Sequence, residues 1–288
     1  MKVLVLAGGD SNERTVSLSS GKAVFDALKR LGHIAYALDP SSGKSLLGSD
    51  GSFIEFKKDD SGRAAAPTKS SGWSLAKTLG SPAFQDIEIV FITLHGGSGE
   101  NGKLQCLLEI AGKKHTGSDM AASAIAMDKA TSKRLCVSEK IKTPKFEVYH
   151  ISNKDITDEL LAPILKKFKF PFIVKPNDGG STLGLSKVDS ESELVRAIEK
   201  AASESTHVII EEFIAGREIT AAVLQGKKLP LVEIVPNSGL YDYEAKYTKG
   251  SSEYFVPADI SEELTEAIQE AAVKIYNIIG CSGLARAD

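Results

Sequence analysis

The sequence predicts a chain of more than one domain, a parallel α/β unit first and mostly antiparallel α+β structure after it. Three observations carry this. At 288 residues the chain is about twice a common domain length. Its first third alternates apolar strands, glycine loops and amphipathic helical patterns. Further on, short strands follow one another across hairpin-like turns.

Val3 to Ala7 is a short apolar strand running into Gly8-Gly9. A polar turn, Asp10 to Arg14, opens a helical pattern through Leu31, with Leu18, Phe25 and Leu28 apolar and Gly32 as its stop. Ile34 to Leu38 is the second strand of a parallel, doubly wound sheet. Residues 40–86, rich in Ser, Gly, Lys and Asp, read as an exposed excursion with a short strand at Phe53 to Phe56. Ile87 to Leu94 is apolar enough for a strand buried on both faces. The glycine loop His95 to Gly102 follows, then helices over Lys103 to Ala111 and Met120 to Glu139. Phe170 to Lys175 and Leu185 to Val188 flank PNDGGSTLG and predict an antiparallel hairpin. Ser190 and Glu193 have capping-box spacing before a helix carrying Leu194 and Ile198. Strands are predicted at Val208 to Ile214, Ile219 to Leu224 and Leu231 to Ile234, an aromatic and charged loop over 236–256, and a last helix from Ser261 to Ile279.

Composition narrows the function. Lys and Arg number 35 against 38 Asp and Glu, a net charge of −3, so a nucleic-acid partner is disfavoured. With 42% hydrophobic and 25% charged residues the chain is globular rather than disordered. No apolar run approaches the roughly 20 residues of a membrane span. The three cysteines form no C-x-x-C pair, which argues against a disulfide framework or a cysteine zinc site. MKVLVLAGGD is short for a signal peptide and reads as a buried strand, so a reducing cytoplasm is the expected setting.

Five segments can carry chemistry. AGGDSNERTVS follows a strand and opens a helix, where amide groups favour an anion. Glu13 beside them suits a zwitterion, carboxylate on the amides and ammonium on the acid; the bland alternative is a solvated first-turn Glu matched to the helix dipole. HGGSGENG brings His95 and Glu100 to a second strand end of the same sheet. VKPNDGGSTLG is a strand ending in Lys175 with a glycine turn that can clamp a triphosphate, or an ordinary surface hairpin. IIEEFIAGRE offers an extended edge for a purine, or a sheet edge with solvated charges. GLARAD puts Arg286 and Asp288 on one strand face, an oxyanion partner beside a ligand for a hard cation.

Taken together and in order, AGGDSNERTVSLSSG, LHGGSGENGKLQCLLE, HTGSDMAASAIAMDK, FPFIVKPNDGGSTLGLSKV, EEFIAGREIT, LYDYEAKY and GCSGLARAD resemble the D-alanine–D-alanine ligases of the ATP-grasp superfamily. The resemblance implies an N-terminal parallel Rossmann-like α/β substrate domain over 1–117, then an ATP-grasp fold with a central subdomain over 118–211 and a C-terminal one over 212–288. It implies ATP-dependent ligation of two D-alanines through an acylphosphate, for peptidoglycan precursor synthesis, with magnesium or manganese. Glu13 would hold the first D-alanine's ammonium, with Ser181 and Tyr247 hydrogen-bonded to it, and His95 and Glu100 would line that pocket. Lys129, Lys175 and Lys246 would contact ATP phosphates. Glu211, Glu212, Phe213 and Ile214 would take the adenine, Glu218 the ribose, Arg286 the oxyanion and Asp288 the metal.

The resemblance further implies a homodimer through the N-terminal domain. Two departures stand out: the family's serine pair is Ser181-Thr182 here, and the family pattern continues past Asp288 into an E-I-N-T-x-P-G-like segment with further metal ligands, so the chain is expected to lack a C-terminal segment. Two other readings compete: a D-alanine–D-lactate ligase, which Tyr247 disfavours, and a non-catalytic nucleotide-binding remnant.

Overall fold

The computed structural model describes residues 1–56, 73–81, 84–151, 156–180, 182–237 and 250–288. These divide into two compact units, Met1–Ala124 with Gly280–Leu284, and Ile125–Ile279 with Ala285–Asp288.

The first unit is built on β1 (Lys2–Leu6), β2 (Ile34–Asp39), β3 (Lys44–Ser45) and β4 (Ile89–Ile92), in the order β3-β2-β1-β4. The strands β2, β1 and β4 are parallel, as the alternation of strand and helix predicts, and β3 is a two-residue antiparallel edge. Val3 to Ala7 are 0–1% exposed, so the apolar run is the sheet's centre. The helix α1 (Arg14–Arg30) lies on it with Leu18 and Phe25 buried. Gly21 allows that approach, since a Cβ there would sit 2.3 Å from the Ala7 Cβ. Helix α2 (Trp73–Leu79) also belongs here, and α3 (Lys103–Ile110) packs Leu104 and Leu108 into the same core as Leu4 and Leu6. The residues after Gly280 join this unit through Ser282, whose N–H donates to Ser118 Oγ (3.2 Å) and whose Oγ donates to the Gly117 carbonyl (2.9 Å).

Several expectations are corrected here. Phe53 makes one isolated bridge with Leu47 rather than starting a strand. The Met120 to Glu139 helix is two helices, α4 (Met120–Met127) and α5 (Lys129–Ser138). The break is Asp128, whose backbone is extended and whose Oδ1 accepts the Thr131 N–H at 2.7 Å, a helix N-cap.

The second unit holds two antiparallel sheets. One has the order β5-β8-β6-β7, from β5 (Phe146–His150), β6 (Phe172–Pro176), β7 (Ser186–Val188) and β8 (His207–Glu212). The predicted hairpin is present as β6 paired with β7. Helices α6 (Asp158–Lys167) and α7 (Glu191–Ala202) supply Ile164, Leu194 and Ile198 to a core shared with Phe172, Val174, Val208 and Ile210. Each such fully buried side chain stabilises by roughly 1.5–3 kcal/mol. The capping box does not close: Ser190 Oγ pairs with Ser192 Oγ, and Glu193 accepts the Asp189 N–H instead.

The other sheet joins β9 (Glu218–Leu224), β10 (Lys227–Lys228), β11 (Val232–Pro236), β12 (Ser252–Phe255) and β13 (Leu284–Ala287), with α8 (Glu262–Ile279) against β9 and β10. Thus part of the predicted 236–256 loop is strand β12, paired with β11. Among the described residues no helix is long and apolar enough to cross a membrane.

Candidate functional site

In the first unit, parallel pairing of β1 with β4 brings Gly8-Gly9 and His95-Gly96-Gly97 to the same end of adjacent strands. Gly8, Ser11, Leu94, His95 and Gly99 line a small hollow there. Glu13 is the N-cap residue of α1 and only 6% exposed, so it is not a solvated helix-dipole partner. Gly96 faces its carboxylate: φ is +64°, and a Cβ would sit 2.5 Å from Glu13 Oε2. His95 places Nε2 3.3 Å from Ser20 Oγ, and its carbonyl accepts the Ser11 hydroxyl. Glu100 is exposed, at the end of the single turn Gly97–Gly99.

The expectation that the first loop's amides await an anion fails at the glycines. The Gly8 N–H donates to Ser17 Oγ (2.9 Å) and the Gly9 N–H to Asp39 Oδ1 (3.1 Å). Asp39 also accepts from Arg14 (2.7 Å) and from the Ser41 N–H (2.9 Å) and hydroxyl (2.7 Å). Arg14 in turn donates to the Gly9 carbonyl at 2.8 Å. Burial alone would raise the Asp39 pKa; the Arg14 and Ser41 hydrogen bonds and the Arg14 charge outweigh it and hold the carboxyl below its usual range. The first glycine loop is therefore a frame fastened from within.

In the second unit the predicted hairpin meets α5. Lys129, the first residue of α5, donates through Nζ to the carbonyls of Gly179 (2.8 Å) and Asn177 (3.3 Å). Buried Asn177 also accepts the Ala130 N–H on Oδ1 at 2.8 Å. On β8 Glu211 is buried and Glu212 exposed, and alternation puts Glu211 on the face of Ile209 and its β6 partner Lys175, opposite to Val208 and Ile210. The sheet-edge reading is thus corrected, because β8 is a central strand between β5 and β6. Glu211 is 6% exposed; its Oε1 accepts from Lys175 Nζ, and its Oε2 lies 3.0 Å from Lys133 Nζ. Phe213 and Ile214 follow the end of β8, Phe213 with Lys187 over its ring at 5.2 Å and Ile214 exposed.

Lys129, Lys133 and Lys175 gather around Glu211, and the Asp178 and Asp128 carboxylates also act on Lys129. Burial, then the Lys175 charge, pushes Lys129 down to about 8. Burial also lowers Lys133, though Glu211 opposes it. Such partly desolvated cations complement a polyanion. Glu218 begins β9 and is exposed, and Arg286 on β13 pairs with Asp288 at 3.1 Å. Ser181, Lys246 and Tyr247 lie outside the described residues.

The family models for the D-ala D-ala ligase N-terminus and C-terminus match residues 2–118 and 135–288. The chain belongs to the D-alanine–D-alanine ligase family. A D-alanine–D-alanine ligase from Syntrophotalea carbinolica is 39% identical over 287 residues, all of this chain and 80% of that protein. One from Aquifex aeolicus is 38% identical over 288 residues, covering 84% of its length. Among solved structures, a Bacillus anthracis D-alanine–D-alanine ligase complexed with ATP aligns with TM-score 0.73 at 26% identity, over 99% of this chain and 80% of that one. A D-Ala:D-Ser ligase from Enterococcus faecalis aligns at 0.72 with 31% identity, over 99% and 84%.

The ligase family and its ATP-complexed neighbour imply a metal ion. Among the described residues no three His, Cys, Asp or Glu side chains gather to hold an ion. Asp288 is one carboxylate already paired with Arg286, and a hard cation wants several oxygen ligands. The described residues alone do not make a magnesium site.

Sequence reasoning missed Lys133, Asn177 and the Arg14–Asp39 pair. Lys133 had a signal, since it lies one helical turn after Lys129 on the same face. Asp39 also had one, as an acid at the end of an apolar strand. Asn177 had none beyond its place in the hairpin turn.

Proposed function

We propose that the chain is an ATP-dependent carboxylate–amine ligase that joins two D-alanines into D-alanyl-D-alanine, for peptidoglycan precursor synthesis. The observation that carries this reading is the partly buried cation cluster of Lys129 and Lys175 at the glycine hairpin, in a chain of the D-alanine–D-alanine ligase family. A free carboxylate is a poor electrophile at neutral pH. Transfer of the ATP γ-phosphoryl group makes the first D-alanine an acylphosphate. The amine of the second attacks its carbonyl, and phosphate leaves from the tetrahedral intermediate, with the amine proton lost to solvent. Positioning and charge complementarity supply most of the catalysis.

Lys129 and Lys175 hold the ATP phosphates, and Lys246 joins them on sequence grounds. Glu211, Glu212, Phe213 and Ile214 hold the adenine, and Glu218 the ribose hydroxyls. Arg286 steadies the oxyanion of the tetrahedral intermediate. Glu13 takes the ammonium of the first D-alanine, with His95 and Glu100 beside it; Ser181 and Tyr247 enter from the sequence alone. Magnesium or manganese would come with the ATP phosphates, and Asp288 would add one protein carboxylate to it. A cytoplasmic setting and a homodimer through the N-terminal domain complete it. The D-lactate reading is disfavoured by Tyr247.

The test is phosphate release from ATP with D-alanine, with the product identified by mass spectrometry in mixtures of D-alanine, D-lactate and D-serine. D-alanyl-D-alanine as main product is expected. A depsipeptide or a D-alanyl-D-serine product would replace the assignment, and ATP binding without turnover would leave a nucleotide-binding protein.

A further inference from the structure

The Glu211 carboxylate carries two lysines that are held very differently. Lys133 reaches Glu211 Oε2 at 3.0 Å, donates to Thr143 Oγ1 at 2.6 Å and lies 4.9 Å over the Phe146 ring. Its side chain is 11% exposed and is fixed by contacts from α5 to the segment before β5 and to β5 itself. Lys175 is more exposed, at 19%, and its Nζ is bonded to Glu211 Oε1. The repulsion between Lys175 and Lys129 marks the side on which an anion would be welcome.

We propose that Lys133 is a positioning residue for nucleotide binding: it is the fixed counter-ion of Glu211, and so frees Lys175 to leave that carboxylate for the phosphate chain of ATP. This rests on the reading of Lys175 as a phosphate contact. The physical argument is desolvation. A carboxylate as buried as Glu211 cannot lose all its cations without a large penalty. With Lys133 locked in place, Glu211 stays paired while Lys175 moves. Without Lys133, Lys175 is the cation still bonded to Glu211 and is trapped there, because Lys129 is held on the Asn177 and Gly179 carbonyls. Lys133 touches no reacting atom in this scheme and acts through Glu211 and Lys175.

The experiment is a double-mutant cycle read by ATP titration calorimetry on the whole chain. Lys133→Met is expected to weaken ATP binding at least tenfold. In the Glu211→Gln background, where no carboxylate can trap Lys175, Lys133→Met is expected to change ATP affinity by less than threefold. An equal loss in both backgrounds means a merely structural role and overturns the proposal, as does no loss in the first. If Lys133→Met alone does not fold, the double variant against Glu211→Gln still decides: equal affinity supports the proposal and a tenfold deficit overturns it. The unmutated chain is the control for the underlying reading, since its failure to bind ATP would count against the nucleotide site itself and not against Lys133.

Discussion

The glycine loops of the first unit and the hairpin cluster of the second handle charge in opposite ways. Beside Gly8-Gly9 the polar groups are engaged with one another: Arg14 with Asp39, Asp39 with Gly9 and Ser41, Ser17 with Gly8. Beside the second unit's hairpin Lys133 and Lys175 share the Glu211 carboxylate, and Lys129, repelled by Lys175, donates to backbone carbonyls. The difference teaches which region is a frame and which is a receptor. A network paired within itself gives a small ligand a rigid outline, and lysines that repel one another draw an anion between them.

The largest effect should come from opening the frame. Asp39→Ala leaves Arg14 buried beside Gly9 without its counter-charge, and is expected to cost about 3–5 kcal/mol in denaturant unfolding. A cost below about 1 kcal/mol would mean that the frame is not fastened there. Next is Lys175→Met, which removes one cation from the lysine cluster and leaves Glu211 paired with Lys133. It should leave thermal stability near normal and weaken ATP binding by roughly 10- to 100-fold, the worth of one charged hydrogen bond or somewhat more. Unchanged ATP affinity would remove Lys175 from the receptor. The smallest effect is expected for Asp128→Ala, which loses the cap that aims Lys129. Unfolding should cost about 1 kcal/mol, and ATP binding should weaken by less than in Lys175→Met. A stability loss with no change in ATP affinity would separate the cap from the receptor.

Much of this contrast was legible in the sequence, and its limits are physical. Val3 to Ala7 before Gly8-Gly9 needed only apolar patterning and a turn, and the β6–β7 hairpin was marked by its glycines. The break at Asp128 was not legible, because Asp interrupts a helix only when its carboxylate finds a free N–H, here that of Thr131. Ser190 and Glu193 had the right spacing, yet Glu193 chose the neighbouring amide. Family motifs pointed to Lys129 and Lys175, but the burial of Glu211 depends on β8 lying between β5 and β6. That is a fact of tertiary pairing. The closed Arg14–Asp39 network joins residues 25 apart, and no local pattern shows which amide their partners satisfy.

The measurement closest to the central contrast is the proton count on ATP binding. Lys129 is held down to about 8 by burial and by Lys175. Between that value and the ordinary lysine range the folded chain has lost a proton that the unfolded chain keeps, so this group makes the unliganded chain more stable as pH rises through that window. A bound phosphate chain reverses the bias, raises the Lys129 pKa and draws the proton back, so ATP affinity should fall as pH climbs above 8. Calorimetry at pH 8 in buffers of different ionisation heat should show uptake of about half a proton per ATP, shrinking in Lys175→Met, where the repulsion is gone. Binding with no proton uptake, or with uptake that Lys129→Met does not abolish, would contradict a receptor built on partly desolvated cations.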